Sequence, residues 1–314
     1  FPTTGKKVEV VIDDKHGCPR YCGLVIDGVA AGPSPNELRW QLAAVGQRSI
    51  NLPVDLTNYV MLDLGQPMHA FDARHVGQGP IRVRKAKPNE AITTLDGQHR
   101  KLTDQDLLIY AGDKPEALAG IMGGASSEIS GATATVALEA AYWNPLLIRR
   151  AAKALSMHTD ASHRFERGAD PEAGPVAIAR FANLAGRAAM GRPRPVLIQA
   201  EGAKVAKRRL TLHLGRIDAR LGTSVPQGEA RATLARLGFD IAEPDEGAAA
   251  HLGTEREWDV LVRWNRAVSA LRKVRDYRVK GKPEPTWDAR VSPMKPFGFR
   301  TYFHGRATKR GIKD

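Results

Sequence analysis

Between Arg48 and Asp72 the chain sets polar side chains into an apolar frame. Arg48, Asn51, Asp55, Thr57, Asn58, Gln66, His69 and Asp72 stand among Ile50, Val54, Val60, Leu62, Leu64 and Phe71. Polar groups held inside such a frame cost free energy unless each finds a partner. The stretch fits neither the period of an amphipathic helix nor the alternation of a strand, and so reads as a site. Arg48 offers a donor fork for phosphate or carboxylate. Thr57 and Asn58 offer neutral hydrogen bonds. His69, between Met68 and Ala70, is either a hydrogen-bonded core residue or a polar group beside a reacting bond. Farther along, Glu139 follows Val136-Ala137-Leu138 and precedes Ala140-Ala141. A glutamate there is either a salt-bridge partner or an acceptor held in an apolar slot.

Other chemistries lack their residues. No Ser-His-Asp or Cys-His pairing is evident, so a covalent intermediate is not expected. Cys18 and Cys22, in Cys-Pro-Arg-Tyr-Cys, have no second Cys or His pair nearby, and His158 and His163 do not form His-Glu-x-x-His. No metal is expected. Gly123 and Gly124 let the backbone approach a ligand and take positive φ, but without a following Gly-Lys-Ser/Thr they make no phosphate loop. A tight structural turn explains them equally well.

The elements that must position these residues are mixed. Residues 7–12 and 21–27 read as strands, and Ser34-Pro-Asn-Glu37 reads as a capping box starting a helix that stops at Gly46. Residues 80–112 look all-β, with a hairpin at Asp96-Gly97, and Thr135–Glu139 is a further strand. Helical periods follow Asn144-Pro145 and run from Pro175 to Met190; Thr159 is a candidate helix cap. Arg164 and Arg167 are expected to pair with Glu166 or Asp170. From Leu210 a strand, a short helix and a helix over 226–237 form a small unit, with Ser224 and Gln227 as a second capping box and Gly238 as the stop. Residues 244–250 read as a linker, and Trp258–Lys280 as a basic helix. The expectation is an α+β chain with a large β-sheet component, a small helical unit and a basic tail.

The chain has 314 residues, 42% of them hydrophobic, enough for two or three domains with real cores. No apolar run is long enough to span a bilayer and no basic-then-apolar leader opens the chain, so no membrane association is expected and the cytoplasm is the default. The opening residue is Phe1 rather than Met, which points to a fragment or a processed start. Net charge is +13, unevenly spread: residues 251–314 hold 16 Lys+Arg against 7 Asp+Glu, leaving 31 against 27 elsewhere. With Trp258, Trp264, Trp287, Phe297, Phe299 and Tyr302 interleaved, that tail suggests a polyanion partner.

Three ordered blocks carry a resemblance. Asp55-Leu-Thr-Asn-Tyr-Val-Met-Leu-Asp-Leu-Gly-Gln-Pro-Met-His-Ala-Phe-Asp72, Gly120-Ile-Met-Gly-Gly124 leading to Leu138-Glu139, and His158-Thr-Asp-Ala-Ser-His-Arg-Phe-Glu-Arg-Gly-Ala-Asp-Pro171 resemble the editing domain of the bacterial-type phenylalanyl-tRNA synthetase β subunit. The resemblance covers roughly residues 5–241. It implies an editing domain over 1–200, the start of the following small helical domain over 208–243, and a tail of no recognised family over 251–314.

The implied reaction is hydrolysis of tyrosine wrongly esterified to phenylalanine tRNA. A synthetic pocket for phenylalanine cannot strongly reject a ring that merely adds a hydroxyl, so a second site must read that hydroxyl. The resemblance gives Glu139 that part. His69, Asn58 and Thr57 would supply hydrogen bonds around the ester and an attacking water. Arg48 would hold the terminal nucleotide or its phosphate, and Gly123, Thr159 and Ala161 would line the pocket. ATP, magnesium and the α subunit are implied only for the complete family enzyme, and this chain is not expected to charge tRNA by itself. A non-catalytic RNA-binding or scaffold protein built on the same domain is the rival; the five residues Arg48, Asn58, His69, Glu139 and Thr159 favour the enzyme.

Overall fold

A computed structural model describes residues 8–76, 79–205, 208–242 and 257–262. They fall into two compact units, one running to Lys204 and one from Val205. The architecture is mixed α/β. The first unit contains, in order, β1 (Val10–Ile12), β2 (Arg20–Asp27), α1 (Asn36–Ala44), α2 (Leu52–Leu64), β3 (His69–Asp72), α3 (Ala73–Val76), β4 (Ile81–Lys85), β5 (Ala91–Thr93) and β6 (His99–Lys101). It continues with β7 (Leu107–Ala111), β8 (Lys114–Leu118), β9 (Met122–Gly123), β10 (Thr135–Glu139), α4 (Pro145–Ala154), α5 (Asp160–Phe165), α6 (Ala173–Arg187), β11 (Arg192–Pro193) and β12 (Ile198–Glu201).

Two sheets carry the unit. One has the order β1-β4-β7-β8-β9; the other runs β11-β2-β10-β3, with β12 also on β2. Side chains alternate across a strand, so the second sheet serves two cores. Tyr21, Phe71 and Ala137 share one with Val83, Leu108, Ile109 and Leu118 of the first sheet. Cys22, Leu24, Val136 and Leu138 face the other way, into a core with Leu56 and Val60 of α2 and Ile178 and Phe181 of α6.

The segment 48–72 is regular after all, mostly helix and then strand. Asn51 caps α2 by accepting from Val54 N, and Gly65, at φ 76°, ends it. A helical period was invisible because α2 is enclosed on several sides. Leu56 and Val60 face the core, Asp55 and Met61 are also buried, and Asp63 pairs with Arg180 of α6 at 2.9 Å. The expected capping box at Ser34 does not form. The cap of α1 is Pro35, with no side-chain bond, and Ser34 Oγ donates to Asp55 Oδ2 at 2.6 Å instead. A buried carboxylate is the stronger acceptor, and it takes the hydroxyl.

In the second unit, β13 (Arg208–His213), α7 (Leu214–Leu221), α8 (Gln227–Arg236), β14 (Asp240–Ala242) and β15 (Glu257–Val262) give a three-stranded sheet with β15 in the middle. The expected helical unit therefore contains a sheet. Residues 257–262, assigned from sequence to a tail and to the start of a basic helix, are its central strand, antiparallel to both neighbours. Trp258, Val260 and Val262 alternate with Asp259 and Leu261, a strand pattern that the surrounding arginines masked. The second capping box is also absent: Pro226 caps α8, and Ser224 Oγ donates to Asp218 at 3.3 Å. Gly238 takes φ 84°, as a helix stop requires. The linker at 244–250 and the tail beyond residue 262 lie outside the described residues.

Candidate functional site

The polar residues of 48–72 divide into two groups. Five are satisfied by the fold. Asn51 caps α2; Asp55 accepts from Ser34, Ser49 and the Ile50 amide; Thr57 Oγ1 donates to Val54 O at 2.7 Å. Gln66 donates to the carbonyls of Pro67 and Ala141. Asp72 takes bonds from Arg74 and Thr133 that outweigh its burial and hold its carboxyl at about 2. Arg48, Asn58 and His69 are different: among the described residues none of their side chains makes a hydrogen bond or ion pair. Thr57, expected in the same set, has its proton committed to its own helix.

His69 begins β3 and stands directly opposite Glu139, the last residue of β10. Paired residues project from the same face, so carboxyl and imidazole are neighbours on the side shared with the first sheet. Phe71 meets the imidazole edge-to-face at 4.4 Å. Part of His69 stays open, but enclosure of its ring pushes it down to about 4. Glu139 is 5% exposed, and burial pushes its carboxyl up to about 8; the adjacent Trp143 indole works the other way without completing a hydrogen bond. The expected carboxylate acceptor is therefore a neutral acid at pH 7 in the empty site. Desolvation outweighs the single nearby donor.

Gly123 closes on the same place from the first sheet. A Cβ there would lie 2.3 Å from His69 Cε1 and 2.5 Å from Nε2, so only glycine admits the ring. The positive φ of this turn belongs to Gly120, at 69°, rather than to the Gly123-Gly124 pair. A Cβ on Gly120 would meet Trp143 Cδ1 at 2.7 Å. Thr159 caps α5 in a capping box with Ser162 and also donates to Ile121 O at 2.9 Å, fixing α5 to the turn before Gly123. Ala161, partly buried, packs on the same core.

Arg48 is exposed, and its loop is held from both sides. Asp55 grips Ser49 and Ile50, while Gln47 donates to Asp160 Oδ2 at 2.7 Å, one residue past Thr159. Arg164 pairs with Asp160 rather than with Glu166 or Asp170; Arg167 pairs with Glu166 as expected. Asp55 was among the polar residues singled out from the sequence; Tyr21 and Trp143 were not. Tyr21 and Trp143 carried no local signal, because their importance lies in what they pack beside.

The class is a two-sheet α/β unit with a buried carboxyl opposite an imidazole. The chain belongs to the B3/4 domain family, whose model matches residues 17–189. More particularly, it is similar to phenylalanine–tRNA ligase β subunits. It is 42% identical over 262 residues to that of Geobacter metallireducens, covering 82% of this chain and 33% of the relative. It is 44% identical over 242 residues to that of Geobacter sulfurreducens, covering 77% and 30%. The chain thus spans about a third of the length of these relatives. Among solved structures, an N-terminal fragment of the phenylalanyl-tRNA synthetase β subunit from Pyrococcus horikoshii overlays 89% of this chain and 76% of its own at TM-score 0.41 and 11% identity, too loosely to inform the site. Among the described residues no helix is long and apolar enough to cross a membrane.

Proposed function

We propose that the unit ending at Lys204 hydrolyses the ester between tyrosine and the terminal ribose of phenylalanine tRNA. The observation that carries this reading is the sorting of polar groups. In a segment where the fold satisfies Asn51, Asp55, Thr57, Gln66 and Asp72, the side chains of Arg48, Asn58 and His69 are left without hydrogen bonds, and Glu139 lies directly opposite His69. Polar groups that the fold leaves unpaired and at least partly open are available to a ligand.

In this reading the tyrosine ring enters the apolar slot and its hydroxyl meets Glu139. Thr159 and Ala161 leave room for the ring. Neutral His69, a poor base with its value near 4, accepts or donates hydrogen bonds that orient the ester or a water, and Asn58 supplies a further one. Water attacks the ester carbon, the acyl–oxygen bond breaks, and the ribose hydroxyl leaves with a proton. Thr57 supports Asn58 by keeping its helix turn rigid. Arg48 takes a phosphate of the tRNA end. ATP, magnesium and an α subunit belong in this reading to aminoacylation by the complete enzyme, and the setting is the cytoplasm.

The test is deacylation of phenylalanine tRNA charged with tyrosine or with phenylalanine. Faster release of tyrosine than of phenylalanine is expected, with no ATP-dependent charging. Tight tRNA binding with no release of either amino acid would replace the hydrolase with a non-catalytic RNA-binding protein.

A further inference from the structure

We propose that Tyr21 and Trp143 are positioning residues that receive Glu139 as a carboxylate when a substrate hydroxyl engages it. The proposal rests on the hydrolase reading above and adds two residues to its specificity site.

The observation is two orphaned donors beside Glu139. Among the described residues Tyr21 Oη and Trp143 Nε1 are fully buried and complete no hydrogen bond; Arg20 Nε is likewise buried without one, but its guanidinium pairs with Glu172. Buried donors are rarely left so, and each one asks for an explanation. Both lie on the sheet face that carries Glu139. Register sets Glu139 opposite Gly23 on β2, which places Tyr21 two residues along on the same face, a diagonal that an aromatic side chain spans. Gly23 brings no side chain between them. Trp143 follows Glu139 by four residues, and its indole is pinned against Gly120.

Tyr21 and Cys18 are close enough for a charge on Glu139 to act on them, and His69 stands opposite on β3. None of the three is a cation at neutral pH, so an ionised Glu139 depends on hydrogen-bond donors such as these two and on the ligand. A protonated carboxyl needs no such cradle, whereas a carboxylate accepting two or three hydrogen bonds is strongly favoured over its acid. The orphan donors are therefore explained by the second protonation state. When the phenolic hydroxyl donates to Glu139, the carboxyl proton passes to solvent, the Tyr21 O–H turns onto the carboxylate, and the carboxylate closes on the indole N–H already beside it.

The test is a pH titration of the Glu139 carboxyl by carbon-13 NMR, its signal assigned with Glu139→Gln. In the empty protein the midpoint near 8 should rise by about half to one unit in Tyr21→Phe and in Trp143→Phe, since each loses one donor to the anion. With tyrosine amide the wild-type midpoint should fall by about one unit, and with phenylalanine amide it should stay. Both variants should lose about three- to tenfold in tyrosyl-ester hydrolysis at pH 7 and largely recover at pH 9, with the phenylalanyl ester unaffected. Unchanged midpoints in both folded variants would overturn the cradle, as would equal losses for both esters at every pH. If the wild type binds neither amide and hydrolyses neither ester, the hydrolase reading falls, and the midpoints of the empty proteins still decide the cradle.

Discussion

Glu139 and His69 face each other across the β10–β3 pair, and between about pH 4 and pH 8 both are held neutral. Burial raises the acid and lowers the base, so the two form a neutral carboxylic acid beside a neutral imidazole rather than an ion pair. A site of that kind holds hydrogen-bonding capacity without a fixed charge. It admits an uncharged aromatic ring at less cost than a salt bridge would.

Discrimination by Glu139 should therefore depend on pH. While the carboxyl keeps its proton, its bond to a tyrosine hydroxyl is neutral and worth about 1 kcal/mol; once it ionises, the bond becomes charge-assisted and worth roughly 1.5–3 kcal/mol. Glu139→Ala should cost tyrosyl-ester hydrolysis about fivefold at pH 6.5 and about ten- to a hundredfold at pH 9, at roughly 1.4 kcal/mol per factor of ten. The phenylalanyl ester should fall much less. Rates for both esters, corrected for spontaneous hydrolysis, check this; equal losses in the folded variant would remove Glu139 as the reader.

The same two groups set opposite limits on stability. Glu139 keeps its proton in the folded state up to about 8, while an unfolded glutamate releases it near 4.5, so its penalty grows as pH rises through that window and levels off above it. His69 resists protonation down to about 4, while an unfolded histidine protonates near 6.5, so its penalty grows as pH falls through that window. Glu139→Gln should gain stability over wild type from pH 5 to pH 8.5, by up to a few kcal/mol at about 1.4 kcal/mol per pKa unit. His69→Gln should hold its stability better than wild type on acidification to pH 4. Urea unfolding at pH 4, 6.5 and 8.5 reads both slopes.

Gly123→Ala should disable the site through His69. The new methyl would sit 2.3 Å from the ring, so the imidazole must leave its place opposite Glu139 or the β8–β9 turn must shift. Overpacking of this kind costs typically about 1–3 kcal/mol. Hydrolysis of both esters should fall at least tenfold, and the His69 ring signals should move in NMR. Unaltered ring signals with full activity would show that the turn yields instead.

Arg48→Ala should leave stability within about 0.5 kcal/mol, because the side chain is exposed and makes no ion pair. It should weaken tRNA binding, reduce the salt slope by about one, and slow both esters together. A loss confined to the tyrosyl ester would move Arg48 from the nucleotide to the amino acid.

Local chemistry made much of this legible in the sequence alone. The strands of 81–111, the hairpin at Asp96-Gly97, the stop at Gly46 and the Thr159 cap depend on residues within a few positions of one another. The three motif blocks named Asn58, His69, Gly123, Glu139, Thr159 and Ala161, and Arg48 stood just ahead of the first, all from the residue types present. What tertiary structure decided was how each group is partnered. Ser34 reads as a helix cap until Asp55, 21 residues on, takes its hydroxyl. The helix through Leu52–Leu64 hides its period because neighbours enclose it, and residues 257–262 become a strand only because β13 and β14 flank them. Thr57 reads as a free hydroxyl until its proton proves to be donated to Val54 O. Glu139 reads as a charged acceptor until burial, which no local window measures, makes it neutral. Propensity and turn chemistry act over a few residues, whereas desolvation and pairing depend on what the fold brings from far along the chain.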